Sequence, residues 1–148
     1  MFRYESASKV GVSPARAILS ETAAIERAWW NGALGFDVDD PEHPVVLQGG
    51  VKLFRSDVTM EDDLFLAFAD MAAIVERLID WAARYKVKWR LHMHDEDWGT
   101  IDPQGISQQL LDQLEKWAKR AKVVSSGKAK WFIPEARREE LLARHRKP

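Results

Sequence analysis

The chain has 148 residues, 46% of them apolar and 30% charged, with a formal net charge of -1. These values suit one globular domain spanning residues 1–148 and exclude a fibrous repeat or a disordered chain, while the near-zero charge gives no overall pull towards nucleic acid or membrane. With no cysteine, a disulfide framework, a thiolate zinc site and a cysteine nucleophile are excluded.

The opening stretch "MFRYESASKV" lacks a signal-peptide core, and no apolar run approaches the roughly 18 residues that suggest a membrane span. A soluble, cytoplasmic protein is expected. The first dozen residues could hold a short strand, but their pattern is too weak to assign one. "SETAAIERAWWNGALG" predicts a helix capped by Ser20 and stopped between Asn31 and Gly35, with Ile18, Thr22, Ile25 and Trp29 at helical spacing. The acidic loop "GFDVDDPEHP" follows. In "VVLQGGVKLFRS" two apolar runs meet at Gly49 and Gly50, which predicts a β-hairpin of Val45–Gln48 with Val51–Arg55.

"TMEDDLFLAFADMAAIVERLIDWAARY" predicts a long central helix. Thr59 is its cap, Glu61, Asp62 and Asp63 suit its positive end, and Arg84 and Lys86 suit the other. Leu64, Phe68, Met71, Val75, Leu78, Ala82 and Tyr85 form its inward stripe. "VKWRLHMH" then alternates strictly, with Val87, Trp89, Leu91 and Met93 on one face and Lys88, Arg90, His92 and His94 on the other. It reads as a strand buried on one side. A loop "DEDWGTIDPQG" precedes a helix with Ile106, Leu110, Leu111, Leu114, Trp117, Ala118 and Ala121 inward. "SSGKAKWFI" gives a turn and a last strand with Ala129, Trp131 and Ile133 on one side, and a charged helix opened by Pro134 completes the chain. The order predicts an α+β domain of two layers. Its sheet is mixed, of about four strands including the Gly-Gly hairpin, with helices mainly on one face.

Three readings of function follow. His92 and His94 project in parallel from a strand, as two imidazole ligands require, and Asp95, Glu96 or Asp97 could add oxygen ligands. A metal-dependent hydrolase centred on this pair is one reading. Lys88 and Arg90 on the same face oppose a cation, and the other histidines, His43 and His145, stand far off in sequence. The second reading gathers Lys52, Phe54, Lys88, Arg90, His92, His94, Lys128, Lys130 and Phe132 into a cationic outer sheet face for an anionic partner, a protein or a nucleic acid strand. Trp98 in the adjacent acidic loop would be an anchor. The terminal helix could instead cover this face with Glu135, Glu139 and Glu140. The third reading is a structural homodimer formed through tryptophan-rich helix faces.

No nucleophile elbow, phosphate-binding loop, dinucleotide fingerprint or zinc-protease helix occurs. The expectation is therefore a non-enzymatic binding module without metal or cofactor, engaging a protein partner or itself. Its expected binding residues are Lys88, Arg90, His92, His94, Trp98, Lys128 and Lys130.

Overall fold

The computed structural model describes residues 1–24, 34–38, 40–53, 60–127 and 130–145, and its central architecture depends on a strand that the sequence reading left unassigned. Strand β1 (Phe2–Ser6) buries Phe2, Tyr4 and Ser6 and turns Arg3 and Glu5 outward. The Ser6 hydroxyl is satisfied although buried: it donates to Ser8 C=O at 2.8 Å and accepts from Leu47 N–H at 3.0 Å. Next come α1 (Val12–Ala23), β2 (Gln48–Val51), α2 (Met60–Tyr85), β3 (Trp89–Met93), β4 (Glu96–Asp102) and β5 (Gly105–Ile106). The chain then adds α3 (Gln108–Arg120), β6 (Val124–Gly127), β7 (Lys130–Phe132) and α4 (Glu135–His145).

The α+β, two-layer architecture is as the sequence predicts, but the sheet is not mixed. Its order is β2-β1-β3-β4-β5 and every pair is antiparallel. Helix α2 does return the chain in the direction of β2, yet β1 lies between β2 and β3 and pairs with both. The glycine hairpin is also corrected. Gly49 and Gly50 lie within the single strand β2, opposite Tyr4 and Arg3. Helix α1 begins at Val12, so Ser20 lies inside it rather than at its cap. Ile25, Trp29, Trp30, Phe54, Arg55 and Thr59 fall outside the described residues.

The expected loop after His94 is strand β4, joined to β3 by a two-residue turn of His94 (φ 49°) and Asp95 (φ 68°). Positive φ at both positions is what a twisted two-residue hairpin turn demands, and His and Asp tolerate it better than most side chains. Past the turn the register slips: Leu91 faces Gly99 while His92 faces Asp97, leaving Trp98 as the extra residue of a bulge. The bulge turns Trp98 inward. Gly99 (φ 116°) has no room for a side chain, because a Cβ there would overlap Ser107 Oγ and lie 2.9 Å from Leu110 N. Ser107 caps α3 by accepting from Leu110 N–H at 3.3 Å and ties it to β4 by accepting from Thr100 N–H at 3.0 Å.

The larger core joins the inner sheet face (Phe2, Tyr4, Val51, Trp89, Leu91, Met93, Trp98, Ile101) to α1, α2 and α3. A second cluster on the other side of α2 gathers Phe65, Leu66 and Phe68 with Ala118, Ala121, Leu141 and Leu142, and Trp131 packs against it. Helix α2 is thus central, as its wide apolar arc predicts. Leu78 is fully buried in the larger core, so Leu78→Ala should cost about 2 to 5 kcal/mol in a denaturant titration. A loss below about 1 kcal/mol would show that α2 is peripheral.

Candidate functional site

Because strand residues alternate, burying Phe2, Tyr4, Trp89, Leu91 and Met93 dictates that Arg3, Glu5, Arg90 and His92 stand on the opposite face. Helix α4 does not cover that face. It packs on α2 through Leu141 and Leu142 and a buried ion pair between Arg138 and Asp70. The cross-strand rows on the outer face run Gly50–Arg3–His92 and Gln48–Glu5–Arg90–Thr100. Between these rows His92 Nε2 approaches Glu5 Oε1 at 3.5 Å.

A cleft of about 620 Å³ opens over β2, β1 and β3, within the size range of ligand sites. Arg3, Glu5 and His92 line its middle. Asp95 comes from the hairpin turn, Gln48, Gly49 and Gly50 from β2, and Asp37 from the segment that runs beside β2. That segment is fixed by a bond from Asp37 N–H to Gln48 C=O at 2.8 Å and by Tyr4, whose hydroxyl donates to Gly35 C=O at 2.7 Å. Burial of the Tyr4 phenol, opposed by the Gly35 N–H that donates to its oxygen at 3.3 Å and reinforced by the Asp37 charge, pushes its pKa up to about 12.

The expected basic plate is not assembled. Arg90 lies on β3 and Lys88 just before it, but Lys130 belongs to the separate β6–β7 ribbon and Lys128 lies outside the described residues. Glu5 sits beside Arg90 in register, so the face carries charges of both signs. Trp98 is corrected outright: it is 2% exposed and packs edge-on against Phe2 at 6.0 Å, so it cannot anchor a partner. His92 and His94 do not project in parallel. His92 turns to Glu5, whereas His94 occupies the turn, its Nδ1 3.0 Å from the Met1 amino nitrogen. Among the described residues, no three His, Asp or Glu side chains are grouped to hold a metal ion.

Arg3, Glu5, Gln48 and Asp37 were missed. For Arg3 and Glu5 the signal is the period-two pattern of "FRYES", too short to assign a strand, while no local pattern marks Gln48 or Asp37 as site residues. Among the described residues no helix is long and apolar enough to cross a membrane. Comparisons with family models, with curated proteins and with solved structures returned no match, so the functional reading rests on this geometry.

Proposed function

We propose that this protein is a non-enzymatic, cytoplasmic binding module that holds a protein partner on the outer face of its five-stranded sheet. The supporting observation is the polar outer face, which no described helix covers. Helices α1, α2 and α3 bury the inner side of the sheet and α4 packs on α2, which leaves Arg3, Glu5 and His92 lining a cleft and Arg90 on the same face outside that lining. A two-layer fold must bury one sheet face only, so side chains on the other are available for recognition. Mixed charge favours selection of a partner by complementarity over general attraction to any polyanion.

Reversal of Lys88 and Arg90 to glutamate tests the reading. Both are exposed, so melting temperature should change little, as for most surface substitutions. Capture of a specific protein from lysate, identified by mass spectrometry, should fall at least about tenfold, on the scale of losing charge complementarity. Reversal of Lys116 and Lys119, exposed on α3, should leave capture intact. Capture that survives the sheet reversal and fails with the α3 reversal would place recognition on the helical layer instead.

A further inference from the structure

In an antiparallel ladder, residues that bond to one neighbouring strand alternate with residues whose N–H and C=O point the other way. The bond from Ser6 N–H to Leu47 C=O, 2.8 Å, sets that phase between β1 and β2. In the same phase Tyr4 faces Gly49 and Phe2 faces Val51. Gln48 and Gly50 therefore turn their backbone groups to the open edge of the sheet. The chain itself uses this edge once, where Asp37 N–H reaches Gln48 C=O. Among the described residues, that is the one backbone bond reaching the β2 edge from the side away from β1. One ladder step further, Gly50 lines the cleft, and among the described residues no backbone group bonds to its N–H or C=O from the side away from β1.

We infer that this edge takes an extended, basic peptide segment by strand addition, with Gly50 as the pairing residue. The inference rests on the protein-binding reading above and names the chemistry of one segment of the partner, distinct from the part that meets Lys88 and Arg90 outside the cleft. Backbone pairing supplies affinity in such complexes, and side-chain sites beside the edge supply selectivity. Here the lining carboxylates Glu5, Asp37 and Asp95 outnumber the lining cations, the Arg3 guanidinium and the Met1 amino group. A second copy of this chain would bring the same carboxylates against each other across the new ladder, and a nucleic acid strand would set phosphates against them. A segment with alternating lysines meets neither penalty. Lys52, exposed on the same side, lies outside the cleft lining and blunts the edge beyond it.

Two acetylated hexapeptide amides, Thr-Val-Lys-Val-Lys-Thr and Thr-Val-Glu-Val-Glu-Thr, serve as probes in amide NMR titrations of the full chain. The lysine peptide should shift the Gly50 amide and slow its hydrogen exchange. It should bind about fivefold more tightly than the glutamate peptide, the scale of two exposed ion pairs. Asp37→Asn with Asp95→Asn, both exposed positions, should remove most of that preference without lowering the melting temperature. A silent Gly50 amide, or binding of the glutamate peptide as tight as that of the lysine peptide, overturns the inference. The two failures are separable: a captured protein partner with a silent Gly50 amide rejects strand addition alone, whereas capture that survives reversal of Lys88 and Arg90 rejects the sheet-face reading.

Discussion

Asp70→Ala should lower the folding free energy by about 3 to 5 kcal/mol, because it leaves the Arg138 guanidinium buried without its counter-ion. Asp70 and Arg138 are each 2% exposed, and Arg138 Nη2 donates to Asp70 Oδ1 between α2 and α4. Leu141 and Leu142, three and four residues beyond Arg138, share its side of α4 and pack into the cluster with Phe65, Leu66 and Phe68. The cation thus sits in an apolar seam, where its Nε has no hydrogen-bond partner among the described residues. Replacing both members, Asp70→Leu with Arg138→Met, should restore most of the lost stability, since an apolar pair needs no compensation for desolvation. Urea titration measures both variants, and hydrogen exchange should show α4 opening first in the single variant. A loss below about 1 kcal/mol for Asp70→Ala would mean that the pair is solvated and α4 only loosely docked.

That ion pair shows where sequence reading reaches its limit. Asp70 falls within the apolar arc of α2, and a lone acid there signals neither its burial nor a partner 68 residues away. Elements that carry their own period were legible. The 26 residues of α2, the alternation of "VKWRLHM" and the apolar stripe of α3 from Leu110 onward lie where the pattern puts them, because each buries a face that its own residues define, while Ile106, expected in the helix, falls in β5. Pairing was less legible. β1 is five residues long, and nothing local says that it inserts between β2 and β3. The error about the sheet followed from that omission, since the α2 crossover was then left to place β2 and β3 side by side.

The same limit applied to the candidate site. His92 was correctly placed on an outward face, but its neighbours Arg3 and Glu5 come from the unassigned strand, and Asp37 comes from a loop fixed only by tertiary bonds. Trp98 was misplaced because a bulge reverses the facing of residues without changing composition. Phe132 is expected on an outward face and is 67% accessible, but its pairing with Val124, 68% accessible, has no local signal, since residues 124 and 132 become neighbours only through the register of the β6–β7 ribbon.

Gly49→Ala should cost about 3 kcal/mol or more, at or above the upper end for small-to-large changes in packed regions. The glycine pair was read as a hairpin turn, yet neither residue has positive φ. Gly49 is needed instead because the segment after Leu34 passes directly over it. A Cβ at Gly49 would overlap the Gly35 carbonyl oxygen and lie 2.8 Å from Tyr4 Cε2 and 2.9 Å from the Tyr4 hydroxyl. Relief requires moving backbone, and with it Phe36, which packs 5.6 Å from Tyr4, 5.8 Å from Trp89 and 5.9 Å from Trp81. Gly50→Ala should cost less, because the added Cβ meets Met1 Sδ at 3.1 Å and Arg3 Cγ at 3.3 Å, side chains that can yield, and Phe2 C=O at 3.1 Å. Tyr4 gives a second readout. Its folded phenol keeps its proton to about 12 while the unfolded one releases it near 10, so folding stability should be intact below pH 10 and decline as pH rises from there. In Gly49→Ala the displaced segment admits water, and ultraviolet titration should find the phenol ionising closer to 10. Equal losses at Gly49 and Gly50 with an unchanged phenol titration would show that the segment after Leu34 does not rest on β2.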